Sequence, residues 1–273
     1  MATDSSTPKV AVIGAGLGGM SAAIHLAARG YDVEVFEKNS EVGGKLAVKS
    51  VKGFSFDLGP SILTLPHIFS DLFAAAGRQM DQYVKLIPVR PHWRNFFEDG
   101  TCIDLSPDPQ VMQEELQKLG TGLDAQFAEF LKYSKRQYEA VDSGYFRQGF
   151  DTFGQMVRWH VRRGMFELDV TRTMHRGVRR FFREEHLVDI FDFFIKYVGS
   201  AATRAPGFMN LMPTIQFEHD LWYVDGGMVQ MARALRRLGE ELGITFHTDC
   251  RVDRILVDDG CCKGLAVGSR TLT

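Results

Sequence analysis

An α/β fold built on a doubly wound parallel sheet is predicted by three features of residues 9–45. The apolar, β-branched run Val10-Ala11-Val12-Ile13 reads as a strand. Gly14, Gly16 and Gly19 follow it at once in the spacing G-x-G-x-x-G. Asp32 to Phe36 reads as a second strand, and Glu37 ends it. Strand, glycine loop, helix, strand and terminal acid together make a site for two linked phosphates and a ribose.

The glycines have separate mechanical tasks. Gly14 permits the tight strand-to-helix turn, Gly16 lets a pyrophosphate approach the backbone, and Gly19 lets the helix pack closely on the sheet. The phosphates sit on the positive end of that helix. It continues through Ala22, Ala23, Ala27 and Ala28 and stops at Gly30. Glu37 stands near the spacing of about 20 residues at which an acid takes a ribose hydroxyl, and an acid there disfavours a 2′-phosphate. NAD and FAD both remain open to this point. Gly43-Gly44-Lys45 separates them: a second glycine pair brings further backbone N–H groups to the cofactor, and a cation beside it neutralises phosphate charge. FAD is favoured. The candidate contacts in this stretch are Gly14, Ala15, Gly16, Gly18, Gly19, Glu37, Lys38, Gly43, Gly44 and Lys45.

Beyond Pro60 the pattern turns helical from Pro66 toward Ala76, with Gly77 as the stop. A strand pair is expected around Val84 to Leu86 and Trp93 to Phe97, with Glu98-Asp99-Gly100 turning into Cys102 to Leu105. Ser106-Pro107-Asp108-Pro109 reads as a helix start. Residues 124–142 place Phe127, Phe130, Leu131, Ser134, Tyr138 and Val141 at helical spacing, a stripe read as core. From Leu187 the chain is strongly aromatic, with Phe191, Phe193, Phe194 and Tyr197; these side chains either line a tunnel for a long apolar substrate or pack as helix cores. A helix from Val229 to Leu242 and a strand from Ile244 to His247 then precede a hairpin. Asp258-Asp259-Gly260 is its turn and Leu265 to Val267 its second arm.

With 273 residues and 45% hydrophobic content the chain can bury a sizeable core. It contains no apolar run long enough for a transmembrane helix, and its start lacks the form of a secretory signal. The four cysteines form neither a C-x-x-C pair nor a regular framework, which reads as reduced thiols in a cytoplasmic protein. The histidines make no zinc-like pattern, so no metal is expected. Residues 158–183 hold eight arginines against only Glu167 and Asp169, whereas the whole chain carries a net charge of −2. With Trp159, Met165, Phe166, Phe181 and Phe182 interleaved, the segment is either a dock for anionic lipid or a solvated face whose arginines pair with acids elsewhere. Nucleic acid is not expected, because no recognised binding motif accompanies the basic stretch.

The run Lys9 to Lys45, followed by Gly53-Phe54-Ser55-Phe56-Asp57-Leu58-Gly59-Pro60-Ser61, resembles the amino-terminal region of the bacterial carotenoid desaturases. These form the phytoene and dehydrosqualene desaturase family within the wider FAD amine-oxidase-like group. Further matches at Tyr197-Val198-Gly199 and at Trp222-Tyr223-Val224-Asp225-Gly226-Gly227-Met228 extend the resemblance over nearly the whole chain. Family members usually carry arginine where this chain has Lys45; lysine keeps the charge but loses the planar fork.

The resemblance implies a glutathione-reductase-type, Rossmann-like FAD domain with an inserted α+β substrate domain. Residues 1–77 would form the first part of the FAD domain, 78–220 the substrate-binding, membrane-associated domain, and 221–273 the return. It adds Gly59, Pro60, Ser61 and a backbone contact from Val252 to the cofactor residues. The implied activity is FAD-dependent desaturation of an acyclic carotenoid precursor such as phytoene or dehydrosqualene, by a cytoplasmic, peripherally membrane-associated enzyme whose partner is a lipophilic polyene. No catalytic residue is assigned, although Asp57 and Asp225 lie in motifs near the expected flavin face. Because family members are nearly twice as long, the chain reads as C-terminally incomplete, with apolar surface left exposed. Two other readings stay open: an FAD oxidase or saturase acting on another lipophilic substrate, and a non-catalytic flavin- or membrane-binding remnant.

Overall fold

The computed structural model describes residues 8–147, 149–159 and 167–272. Arg162, Arg163, Met165 and Phe166 of the arginine-rich stretch lie outside the described residues. The chain divides into two compact units, one made from both of its ends, up to Pro88 and again from Trp222, and the other from the continuous segment Val89–Leu221.

In the first unit, β1 (Lys9–Ile13), α1 (Leu17–Ala28) and β2 (Asp32–Phe36) form a parallel βαβ element, with Lys9 opposite Asp32 and Ile13 opposite Phe36. The strand Thr245–His247 pairs in parallel with the other edge of β2, so the sheet is completed by residues from the far end of the sequence. Two helices cover it. The apolar side of α1 presents Met20, Ala23 and Ile24, and the helix Val229–Glu241 presents Met231, Ala232, Leu235 and Leu238. The latter spacing repeats every three to four residues, as a helix with one buried face requires. Its other face carries the pairs Arg236–Glu240 and Arg237–Glu241, each worth about 0.3–0.5 kcal/mol. Burial of each Leu and Met on the inner face is worth about 1.5–3 kcal/mol, so packing, not ion pairing, holds this helix.

β3 (Val48–Val51) and β4 (Phe54–Asp57) form a hairpin, and α2 (Pro66–Ala75) follows, starting on its proline and ending before Gly77. Here the sequence expectation needs correction. β5 (Leu86–Pro88) does not pair with Trp93 to Phe97; it pairs antiparallel with Trp222–Val224. Its partner arrives only after the whole second unit, which local strand spacing cannot reveal.

The second unit begins with the hairpin of β6 (Trp93–Phe96) and β7 (Cys102–Leu105). α3 (Pro109–Gln117) is capped by Asp108, whose Oδ1 accepts the Gln110 N–H at 2.9 Å, a cap worth about 1 kcal/mol. α4 (Leu123–Val141) buries Phe127, Phe130, Ser134, Tyr138 and Val141, as its sequence stripe predicts, and α5 (Phe153–Trp159) follows a π-helical turn at Asp142–Phe146. The aromatic run after Leu187 divides evenly: Phe191 and Phe194 pack as core, while Phe193 and Tyr197 do not. Phe130, Phe182, Phe191 and Phe194 are buried together, with Phe130–Phe191 ring centroids 4.6 Å apart and Phe182 stacked on Phe191 at 5.3 Å. Phe193 and Tyr197, by contrast, are exposed.

The two ends of this unit lie side by side. The Val89 N–H donates to Leu221 O at 2.9 Å, and Arg90 donates to both carboxylate oxygens of Asp220 at 2.7 and 2.6 Å. His92 Nε2 lies 2.5 Å from the same carboxylate. Burial pushes the Asp220 carboxyl up, but the Arg90 and His92 hydrogen bonds outweigh it and hold it at about 2.

Candidate cofactor site

The loop after β1 is shaped by its own backbone. Gly14 has φ +95°, a conformation costly for any residue with a Cβ, and its N–H donates to Phe36 O at 2.7 Å, tying the loop to the end of β2. Gly16 is the N-cap of α1; no side chain caps the helix and no acid stands in its first turn. The helix therefore presents its positive end and its first N–H groups without an anion from the chain.

Glu37 is nearly buried, at 5% exposure. Its Oε2 accepts the Ala15 N–H at 2.8 Å, while Oε1 accepts both the backbone and side-chain N–H groups of Asn39 at 2.9 and 2.7 Å. A carboxylate oxygen has about two lone-pair sites. Oε1 is thus filled, and Oε2 keeps one site for a hydroxyl. The acid foreseen as a ribose ligand also ties the glycine loop to the turn after β2. Asn39, which the sequence reading did not single out, positions it; the only signal was an Asx residue two places after the acid.

The second glycine pair reaches the first. Gly43 N–H donates to Ala15 O at 2.7 Å, and Gly43 and Gly44 have φ of +112° and +57°. A Cβ on Gly44 would stand 3.2 Å from Gly16 Cα, and one on Gly43 only 2.7 Å from Ala232 Cβ. Gly59 is held as tightly, since its Cβ would meet the Lys45 carbonyl oxygen at 1.9 Å. Gly227 lies against Asp57, with a built Cβ 3.2 Å from Oδ1. Asp57 thus meets the glycine pair after Trp222–Val224, and a loop-fixing role fits it. On the other side of Glu37, the Cys250 N–H donates to Glu37 O at 2.8 Å and the Asp249 N–H to Asn39 O at 3.0 Å. Val252 follows two residues later, half-buried. Lys38, Lys45, Pro60 and Ser61 are exposed.

These glycines fall into two groups. Gly19, Gly43, Gly44 and Gly59 are required by the chain itself; a Cβ on Gly19 would lie 1.9 Å from Gly14 O. Gly16 and Gly18 are not. A Cβ on either would meet nothing within 4 Å, and neither has a left-handed backbone. Glycine inside a helix costs about 1 kcal/mol relative to alanine, yet no neighbour in the chain asks for Gly18. Open space over an uncapped helix end, beside an acid with one free acceptor site, fits a pyrophosphate and its ribose.

Residues 17–272 match the model of the family described as flavin containing amine oxidoreductase. The chain belongs to that family. Its cofactor is accordingly a flavin, FAD. Over 263 residues, 95% of its length, the chain is 51% identical to a 4,4'-diapolycopene oxygenase of a Methylomonas species, and over 266 residues it is 38% identical to a 4,4'-diaponeurosporene oxygenase of Staphylococcus haemolyticus. The chain spans about half the length of these relatives, 53% in each case. Among solved structures, an oxidoreductase from Methanosarcina mazei (TM-score 0.64, 20% identity, covering 97% of this chain and 56% of that one) and putrescine oxidase (TM-score 0.61, 15% identity, covering 97% and 56%) share the amine-oxidase fold. Both relatives are named oxygenases, so the family resemblance read from the sequence holds while desaturation finds no support in their names.

The basic stretch of the second unit is partly absorbed by the fold. Arg179 pairs with Glu185 at 2.6 Å, Arg180 lies over the rings of Tyr133 and Phe181, and Phe182 is fully buried. Tyr133 donates to Asp169 Oδ2 at 2.9 Å, and burial pushes its hydroxyl pKa up. Among the described residues, no helix is long and apolar enough to cross a membrane, and no group of three His, Cys, Asp or Glu side chains is arranged to hold a metal.

Proposed function

We propose that this protein is an FAD-dependent oxidoreductase that oxygenates an acyclic carotenoid of the diapolycopene type. The observation that carries the cofactor half is the open space at Gly16 and Gly18 over the uncapped end of α1. The substrate half rests on the 51% identity to a diapolycopene oxygenase. FAD, when bound, supplies two-electron redox chemistry, with molecular oxygen as the co-substrate. The chain's own residues then bind and orient. The first N–H groups of α1 take the pyrophosphate, Oε2 of Glu37 takes one ribose hydroxyl, and the Gly43-Gly44 turn fixes the loop against Ala232. Gly59, Pro60, Ser61 and the Val252 backbone complete the cradle. Exposed Lys38 and Lys45 offset phosphate charge.

A polyene is insoluble in water, so the reading includes peripheral attachment to a bilayer. Its support is the exposure of the apolar side chains Phe146 on the π-turn and Phe153, at 76%, and Val157 on α5, with Arg158 next to Val157 in the sequence. Such a mixture suits the headgroup boundary.

The purified chain, reconstituted with FAD, is expected to show flavin absorbance and to convert diapolycopene in liposomes to a product that has gained oxygen. A product that has only lost hydrogen would replace oxygenation with desaturation. A chain that takes up no flavin would overturn the cofactor assignment.

A further inference from the structure

His186 has a carboxylate on each side of its ring. Its Nδ1 lies 2.7 Å from Glu184 Oε1, and its Nε2 lies 3.0 Å from Asp99 Oδ2. His92, His175 and His247 are placed differently, each within hydrogen-bond reach of one carboxylate, that of Asp220, Asp192 and Glu34 respectively. The two acids beside His186 are themselves fixed. Glu184 is the N-cap of the helix Glu185–Asp192 and accepts the Leu187 N–H through Oε2 at 2.8 Å. Asp99 stands in the turn of the β6–β7 hairpin and accepts the Thr101 N–H through Oδ1 at 2.9 Å. Each acid thus spends one oxygen on its own turn and offers the other to His186. The Phe97 ring lies perpendicular to the imidazole, with centroids 4.3 Å apart, and Glu185, the adjacent acid, is taken by Arg179 instead.

An ionised carboxylate only accepts hydrogen bonds, and a neutral imidazole has a single N–H to give. Only the imidazolium can donate to both acids at once. In the neutral ring one nitrogen turns a lone pair toward a carboxylate, and that contact repels. The contact that yields is the one with Asp99. It is the longer of the two, and the Asp99 side chain is 54% exposed against 20% for that of Glu184, so water can replace it. Glu184 is two residues away on the same chain and stays beside the ring. The bonds to Glu184 and then to Asp99 hold the His186 pKa above the ordinary 6.5, against the opposing effect of burial. The stabilisation is therefore fully present below pH 6.5 and is lost as pH rises through the folded value.

We propose that His186 is a pH-operated clasp, which ties the tip of the β6–β7 hairpin to the start of the helix Glu185–Asp192 when protonated and frees the tip when neutral. Glu184 keeps its cap on that helix in both states. The hairpin strands stay in place as well, because Ile103 and Leu105 are buried in the core of the second unit. The released motion is thus confined to the turn between Phe97 and Thr101. Neither flavin nor polyene takes part, so the clasp stands independently of the proposed oxygenation.

The test uses the full chain with isotope-labelled histidine, the His186 ring signal being assigned by its loss in His186→Gln. That ring is expected to titrate with a midpoint above 6.5. Hydrogen exchange of the turn amides Gly100 and Thr101, corrected for the intrinsic pH dependence of exchange, should lose about threefold or more of its protection between pH 6 and pH 9. Asp99→Asn, whose amide oxygen can still serve the turn, should move the His186 midpoint down toward 6.5 and, like His186→Gln, flatten the protection profile. A wild-type midpoint at or below 6.5, a midpoint that Asp99→Asn leaves in place, or a wild-type protection profile that persists in His186→Gln would overturn the clasp.

Discussion

The two units use their residues in opposite ways. In the first, the residues around the candidate cofactor site act through their backbones: Gly14 through its φ, Gly19, Gly43 and Gly59 through the side chain they lack, and Gly43 and Cys250 through main-chain hydrogen bonds. In the second, side chains do the work, with Phe130, Phe182, Phe191 and Phe194 filling the core and Tyr133, Asp169 and Gln137 joined in a buried polar network. A backbone-built site is specified by a few positions at fixed spacing. A side-chain-built unit is specified by volumes that many sequences can supply.

Substitutions can break this contrast, and the largest effect belongs to the second unit. Phe191→Ala removes a fully buried ring in contact with four others and is expected to cost about 4 kcal/mol; denaturant unfolding would measure it, with flavin bound per folded molecule unchanged. Gly19→Ala comes next, because a methyl group 1.9 Å from a carbonyl oxygen cannot be accommodated without moving α1 off the loop. A cost of about 3 kcal/mol should appear in calorimetry together with loss of flavin. If the protein kept both stability and flavin, the backbone account of the first unit would be wrong.

Asp220→Asn tests the side-chain account through pH. The folded pKa of about 2 lies below the ordinary 3.8, so the carboxylate contributes stability above pH 4 and loses it as pH falls toward 2. The difference amounts to about 2 kcal/mol. Wild type and variant should therefore differ by about that much at pH 7 in urea titrations and converge near pH 2; a gap that persists at pH 2 would assign the effect to something other than the charge. The smallest stability effect sharpens the contrast most. Gly18→Ala meets no neighbour and should stabilise the apoprotein by about 0.5 kcal/mol, while lowering FAD affinity at least tenfold in a fluorescence titration. Unchanged affinity would mean that nothing approaches α1 there.

The same contrast explains what the sequence made legible. Residues 9–45 are the most legible stretch, because Gly14, Gly19, Gly43 and Gly44 each answer a steric or backbone demand of the chain itself, and the helix and strand limits between Leu17 and Phe36 follow from local pattern. Glu37 was found by spacing, but its bond to the Ala15 N–H and its capture by Asn39 were not, since a carboxylate's second task leaves no periodic mark. The pairing of β5 with Trp222–Val224 was invisible for a related reason: partners separated by an entire unit share no local signal. In the aromatic stretch, composition could not tell a tunnel from a core. That choice depends on which face of each turn is covered, and it sends Phe191 inward and Phe193 outward only two residues apart.

Pro88 and Trp222 are ladder partners, and Val89 and Leu221 are joined by a hydrogen bond. The cut that would excise the second unit thus falls between neighbours on both sides. A gene that runs from Pro88 through a two-residue Asn-Gly turn straight into Trp222 would turn a long-range strand pair into an ordinary β-hairpin. The ends of the first unit are thereby tied to each other by their own backbone hydrogen bonds, independently of the length of the segment that runs between them.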